Sequence, residues 1–239
     1  MSAYKEGTTF IVFARNEAED IIRTINSVYE AIEELDLTAE VFVIDDGSAD
    51  DTPQRLEHFS KTSEYKPTII IQPPLGISAA LRTALANAQY SRCLPIPGHY
   101  MFDKENIIKL LKDSSEADVV IGIRSNIRKE RPLGKFIAAV VLKILFRFVV
   151  SKQIKDPHGL IIYPTSLLNE HVNKNMEHEN HIRVLAWAEK LGLSFSTLEI
   201  EVRKGHKQES KIKGRPSAPR IKHLWYGLQE LRRSHKIIR

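Results

Sequence analysis

The sequence predicts an α/β protein whose mostly parallel central sheet is covered by helices on both faces. Three observations carry this expectation: apolar, β-branched runs alternate with stretches of helical period, Pro and Gly punctuate the joins, and no Ser/Gly-rich linker divides the chain. In such a fold right-handed crossovers are the strong default, and the loops at the carboxyl ends of the strands carry the chemistry.

The elements follow in order. Thr8 to Ala14 reads as a strand, and Glu17 to Leu35 as a helix with apolar residues at Ile21, Ile22, Ile25, Val28, Ile32 and Leu35. Val41 to Ile44 is a second strand, Asp51 to Phe59 a helix, Thr68 to Ile71 a third strand, and Ile77 to Ala88 a helix entered through Pro73, Pro74 and Gly76. Leu94 to Ile96 is a fourth strand, followed by a Pro97-Gly98 turn. The next helix, Asp103 to Leu111, opens on the acids Asp103 and Glu105, which suit the positive end of the helix dipole. Asp118 to Ile123 makes a fifth strand. From Gly134 the pattern changes to an apolar helix at Phe136 to Val150, a loop at Lys155 to Gly159 and a strand at Leu160 to Tyr163. A helix near His178 to Leu191, a strand at Ser194 to Val202 and a basic loop and helix complete the chain. The expected division is one domain over residues 1–220 with a basic helix at 221–239 packed on or flanking it.

Composition limits the function classes. The chain has 239 residues, 42% hydrophobic and 27% charged, which is the balance of a globular protein. Cys93 stands alone, so neither a disulfide framework nor a multi-Cys zinc site can be built, and any metal must use oxygen and histidine ligands. The opening residues lack a signal peptide's basic segment and apolar run, so the expected location is the cytoplasm. Phe136 to Val150 would span about 22 Å as a helix, short of a ~30 Å hydrocarbon core, and Lys143 and Arg147 interrupt it. A buried helix, or one resting on a membrane surface, remains open.

Charge is unevenly distributed. The formal net charge is +5, yet residues 203–239 carry 12 Lys and Arg against Glu209 and Glu230, a local +10 that leaves −5 for the rest. Such a module suits a nucleoside diphosphate, an anionic membrane or a solvated tail. Nucleic acid is disfavoured, because Trp225 and Tyr226 sit together without the repeated basic and aromatic interleaving of a base-stacking platform.

The strongest motif runs from Val41 through Asp45-Asp46-Gly47-Ser48-Ala49-Asp50-Asp51-Thr52, placing two carboxylates just beyond a buried strand. They can accept hydrogen bonds from a base or ribose, or hold a cation; Gly47 permits a tight turn, and Ser48 or Asp50 can cap the helix. On this reading Asp46→Ala abolishes nucleotide binding and leaves the fold intact.

With this motif, Arg15-Asn16-Glu17 upstream, and Gly76, Ile121-Gly122-Ile123-Arg124, Asp156-Pro157-His158-Gly159 and Ser210-Lys211 downstream, the chain resembles family-two glycosyltransferases of the GT-A fold. The likeness is to the dolichyl-phosphate mannose synthase-like branch, and it covers roughly residues 8–215. It implies a nucleotide-sugar donor cradled by the first half, with Glu17, Asp45, Asp46, Gly76 and Ser210 as donor-binding residues. It further implies an inverting transfer to a polyprenyl phosphate, and the apolar Phe136–Val150 helix with the +10 C-terminus favours a lipid-phosphate or membrane-associated glycan acceptor at an anionic membrane surface. Basic residues at Arg124, Arg131 and Lys211 would meet the donor or acceptor phosphates, and Asp156 would orient the acceptor or act as base.

Two positions depart from the family pattern. Its Pro-x-Tyr-Asn-Glu appears as Phe13-Ala14-Arg15-Asn16-Glu17, and its metal-binding Asp-x-Asp as Pro97-Gly98-His99. Three outcomes follow. A divalent cation, Mn²⁺ or Mg²⁺, is held by His99 with Asp103 or a carboxylate of the first loop; or the site works without metal, its charge met by Arg124, Arg128, Arg131, Arg203, His206 or Lys211; or the domain is a non-catalytic relative that binds a nucleotide sugar or a membrane. Asp103 can equally serve as a helix cap. A dinucleotide enzyme and a P-loop enzyme are both weak readings, since their glycine signatures are missing.

Overall fold

The structure, a computed structural model, describes residues 4–112, 117–125, 144, 154, 159–174 and 181–203. Seven strands form one sheet among these residues: β1 (Lys5–Ala14), β2 (Ala39–Asp46), β3 (Thr68–Gln72), β4 (Tyr90–Pro97), β5 (Val119–Arg124), β6 (Leu160–Pro164) and β7 (Phe195–Ile200). The helices are α1 (Ile21–Glu34), α2 (Thr52–Thr62), α3 (Ile77–Leu85), α4 (Lys104–Lys112), α5 (Thr165–Lys174) and α6 (His181–Lys190). The sheet order is β3-β2-β1-β4-β6-β5-β7. Every neighbouring pair is parallel except those of β6, which runs antiparallel to both β4 and β5. The mostly parallel α/β architecture expected from the sequence is therefore present, with the carboxyl ends of the other six strands on one edge.

Strand alternation sorts the core into two layers. Ile11, Phe42 and Ile44 pack with Ala80, Ala84 and Leu85 of α3, Leu167, Leu168 and Val172 of α5, and Leu185 of α6. On the opposite face Phe10, Val12, Val41 and Val43 pack with Ile21, Ile25 and Val28 of α1, Leu56 and Phe59 of α2, and Ile107 and Leu110 of α4. Ile21, Ile25 and Val28 are wholly buried, and burying each stabilises the fold by about 1.5–3 kcal/mol before entropy is counted.

Two close approaches fix where β5, β6 and β7 meet. A Cβ on Gly159 would overlap the Gly122 carbonyl oxygen, and one on Gly122 would lie 2.6 Å from Ile200 Cδ1. Neither position has room for a side chain.

β4 reaches past the expected turn and ends at Pro97. Its pairing to β6 is limited to Arg92 with Pro164 and Cys93 with Tyr163. The Gly98 amide donates to the Phe13 carbonyl at 2.7 Å. Alternation then turns the nitrogens of Leu94, Ile96 and Gly98 toward β1 and those of Pro95 and Pro97 toward the β6 side. Proline carries no N–H, so beyond Cys93 the β6 side of β4 has no donor at these two positions, and the ladder stops there.

The helix α5 is an element absent from the sequence expectation. The Phe136–Val150 helix apart from Ile144, residues 155–158, His178 and the tail at 221–239 lie outside the described residues. No helix among the described residues is long and apolar enough to cross a membrane.

Candidate active site

The topology itself selects the site. From β1 the chain proceeds to β2 and β3 on one side and then crosses to β4 on the other, so the crevice between the carboxyl ends of β1 and β4 is the switch point where ligands of open α/β sheets bind.

The loops after β1 and β2 are interlocked by backbone-to-side-chain hydrogen bonds. Asn16, at φ 58°, donates its amide to Ser48 Oγ at 2.8 Å, and its Oδ1 accepts the Ala49 amide at 2.7 Å. Asparagine tolerates this left-handed backbone better than most residues. The Glu17 amide donates to Thr52 Oγ1 at 2.9 Å and the Ala18 amide to Asp50 Oδ2 at 3.2 Å. Asp50 Oδ1 also accepts the Thr52 amide at 3.0 Å. Burial pushes the Asp50 carboxyl up, but bonds from the Thr52 hydroxyl and from the Thr52 and Ala18 amides outweigh it and hold the group below the usual carboxylate range.

Asp45 and Asp46 are adjacent in sequence but face opposite layers. Asp45 continues the Val41 and Val43 side, where its Oδ1 accepts both the amide (3.1 Å) and the hydroxyl of Ser48, while its buried Oδ2 has no hydrogen-bond partner in the structure. Asp46 continues the Ile44 side. Its Oδ1 accepts Gln72 Nε2 at 2.8 Å and the Leu75 amide at 2.9 Å, and its Oδ2 accepts the Gly76 amide at 2.9 Å. Arg15 approaches Asp46 Oδ2 to 3.6 Å from the solvent side. Asp46 thus clasps the turn between β3 and α3, and Gly76 meets it through that amide at φ 93°. Gly47 completes the arrangement: at φ 70°, a Cβ there would lie 2.8 Å from Pro74 N. These bonds give Asp46 a part in holding the β3–α3 turn, so Asp46→Ala is expected to cost stability beside any effect on nucleotide binding.

The loop after β4 is held against α1. Thr24 Oγ1 donates to the Gly98 carbonyl at 2.9 Å and accepts the Tyr100 amide at 3.0 Å. A Cβ on Gly98 would come within 2.6 Å of the Phe13 carbonyl, so only glycine lets this loop lie so close to β1. His99 Nδ1 stands 3.9 Å from Glu17 Oε1 across the switch point. Tyr100 adopts φ 42°, and the Arg203 guanidinium lies 4.2 Å from its ring centroid. The Arg203 amide donates to the Met101 carbonyl at 3.2 Å. Arg124 ends β5 on the same edge, half-buried beside β7.

Asp103 caps α4: its Oδ1 accepts the Asn106 amide at 3.1 Å and the Asn106 side-chain amide, while Asn106 Oδ1 accepts the Glu201 amide at 3.0 Å. Hard divalent cations prefer oxygen, and at a diphosphate site they are held by one or two protein carboxylates together with the phosphates and water. Among the described residues no group of three or more His, Cys, Asp and Glu is placed to hold a metal. Glu17 and His99 offer two donors, and Asp45, Asp46, Asp50 and Asp103 each hold backbone amides. Beside the crevice the Gly98–Tyr100 loop supplies an imidazole and no carboxylate, a poor fit for a hard divalent cation.

The structure brings Glu17, Asp45, Asp46, Gly76, His99 and Arg124 to one sheet edge, with Asp103 behind them at the start of α4. Asp156, Arg131, Ser210 and Lys211, with Arg128 and His206, lie outside the described residues. Tyr100 and Thr24 were not singled out by sequence reasoning, and Asn16 only as the middle residue of Arg15-Asn16-Glu17, two positions after β1.

The sequence model described as Glycosyl transferase family 2 matches residues 9–176, more than half of the chain. The chain belongs to glycosyl transferase family 2. A curated relative, Uncharacterized protein MJ0544 of Methanocaldococcus jannaschii, is 27% identical over 143 residues, 56% of this chain. The chain spans 60% of that relative's length. Among solved structures, this family 2 chain is similar to glucosyl-3-phosphoglycerate synthase from Mycobacterium tuberculosis in complex with Mn²⁺ and UDP-glucose. The TM-score is 0.63 at 16% identity, over 95% of this chain and 79% of that one. It is likewise similar to the mannosyltransferase PcManGT from Pyrobaculum calidifontis in complex with GDP-Man and Mn²⁺, with TM-score 0.60 at 17% identity, over 98% and 72% of the two chains. At these identities the likeness establishes the fold, the GT-A architecture of family 2 glycosyltransferases.

Proposed function

We propose that this family 2 glycosyltransferase moves a sugar from a nucleoside diphosphate donor to a lipid-phosphate or membrane-associated glycan acceptor, with inversion at the anomeric carbon. The observation that carries the reading is the switch-point crevice, walled by the interlocked β1 and β2 loops on one side and the Gly98–Tyr100 loop on the other. The nucleoside half of the donor lies against Glu17 and the Asp45 loop, where the partnerless Asp45 Oδ2 is an acceptor for an N–H or hydroxyl donor.

The reaction needs little acid–base chemistry. An acceptor phosphate is already ionised at pH 7; its oxygen forms the new bond to the anomeric carbon as the bond to the donor diphosphate breaks, and the nucleoside diphosphate leaves with the electron pair. Rate then depends on alignment and on cations that meet the charge growing on the leaving group. Arg124 serves this role, joined by Arg131 and Lys211, with Asp156 positioning the acceptor and Ser210 contributing to the donor site. The +10 segment at 203–239 supports a membrane-borne acceptor, since each cation near an anionic leaflet adds about 1 kcal/mol of attraction.

The test is release of UDP or GDP from UDP-glucose and GDP-mannose, with and without a polyprenyl phosphate in anionic liposomes, alongside flotation of the protein at rising salt. Acceptor-stimulated release and salt-sensitive flotation are expected. Nucleotide binding without release or transfer would mark a non-catalytic relative, and absence of flotation at low salt would remove the membrane part of the reading.

A further inference from the structure

Resting on the nucleotide-sugar reading, one question concerns what neutralises the donor's two phosphates. The solved structures similar to this chain include Mn²⁺ complexes. Asp46 clasps the β3–α3 turn through the Leu75 and Gly76 amides, Asp50 ties Ala18 to Thr52, and Asp103 caps α4. These carboxylates are oriented by backbone amides, each bond to an ionised acceptor being worth about 1.5–3 kcal/mol, and the Gly98–Tyr100 loop beside the crevice carries no carboxylate.

A positive group stands at this edge of the sheet, beside the β4–α4 loop. β7 leaves the sheet beside the β4–α4 loop, tied to that loop by the Arg203 amide on the Met101 carbonyl and to α4 by Lys109 Nζ on the Glu199 carbonyl at 2.6 Å and by the Glu201 amide on Asn106. These bonds deliver Arg203 onto the Tyr100 ring at 4.2 Å, well inside the ~6 Å range of a cation–π contact. The ring in turn is presented by a left-handed backbone at Tyr100, φ 42°, which is uncommon for an aromatic residue and is held by Thr24. A guanidinium presents its N–H donors as a planar fork, and that fork matches two phosphate oxygens. Tyr100 follows His99 directly, so this guanidinium stands at the loop that borders the switch-point crevice.

We propose that Arg203, seated on Tyr100, is the counter-charge for the donor diphosphate and that this transferase binds its donor without a divalent cation. The ring holds the cation in one orientation before the ligand arrives, so little side-chain freedom is lost on binding.

The experiment is calorimetric titration of the full chain with UDP, GDP, uridine and guanosine, in EDTA and in Mn²⁺. The expected result is diphosphate binding in EDTA with an affinity within about twofold of that in Mn²⁺. Arg203→Gln should weaken diphosphate binding in EDTA by roughly tenfold or more and leave nucleoside binding unchanged, as befits one charge-assisted contact. Arg203→Lys should recover part of it, and Tyr100→Leu should fall between. A requirement for Mn²⁺, or an Arg203→Gln protein that binds the diphosphate as tightly as the parent, overturns the proposal. Nucleosides that bind while diphosphates need metal would overturn it and leave the nucleotide-sugar reading standing; failure of every nucleoside and nucleotide to bind would overturn both.

Discussion

Replacing Asp46 by alanine tests whether the second carboxylate of the Asp45-Asp46 pair is a clasp of the fold. The substitution removes the acceptor for Gln72 Nε2 and for the Leu75 and Gly76 amides. Hydrogen bonds to an ionised group contribute about 1.5–3 kcal/mol each when no water replaces them. Leu75 is 67% exposed and Gly76 is only half-buried, so water takes over most of the loss at those two amides. The Arg15 contact, from a side chain 56% exposed, adds little. The net cost is then about 2–4 kcal/mol, a fall in Tm of roughly 5–15 °C for a chain of this size. Thermal unfolding measures the cost, and amide hydrogen exchange at Leu75 and Gly76 locates it. Asp46→Asn keeps one oxygen for these donors and should lose half as much or less. If Asp46→Ala melts like the parent with both amides still protected, while nucleotide binding is lost, Asp46 acts on the ligand directly and the clasp argument fails.

Two further predictions concern the scaffold. Gly159→Ala places a methyl group on the Gly122 carbonyl, where backbone faces backbone and no side chain can yield; a loss of about 3 kcal/mol or more is expected, and a Tm within ~2 °C of the parent would show that β6 can shift. His171 of α5 is buried, and burial, with the Arg183 charge adding to it, pushes its imidazole down to about 4. The unfolded chain therefore binds this proton first, and stability falls as pH drops from about 6.5 through 4, by about 3 kcal/mol in all. Urea titrations at pH 7, 5 and 4 should show that slope in the parent and a flatter one in His171→Phe, whereas equal slopes would refute the assignment.

Much of the sheet was legible because its strands are buried on both faces and so read as unbroken β-branched runs, as at Val41 to Ile44, while α1 announced itself by the spacing of Ile21, Ile25 and Val28. The helix α5 was missed although Leu167, Leu168 and Val172 form its stripe, because the polar His171 sits within that stripe and Pro164 directly precedes the helix. Nothing local marks β6 as the strand that enters between β4 and β5, since that choice is made by contacts with chain made much earlier. At the site, the Asp45-Asp46 pair reads as a unit in sequence, yet the twofold strand period already requires its members to face different layers. The meeting of Arg203 with Tyr100 joins residues far apart in the chain and leaves no periodic trace. Asp103 shows the opposite case: the Asp-x-x-Asn spacing of a helix start is a local feature, and the structure uses it as a cap.

The prolines of β4 have a consequence for how the protein is made. β4 is complete on the ribosome about 65 residues before β6 is, a delay of several seconds at roughly 5–20 residues per second. Throughout that interval the flank destined for β6 is an open template on which a neighbouring nascent chain can add a strand. Pro95 and Pro97 remove two donors from that flank, so the half-made sheet offers a partner little beyond Arg92 and Cys93. The residues that end the ladder in the finished molecule thereby also guard against misassembly during translation.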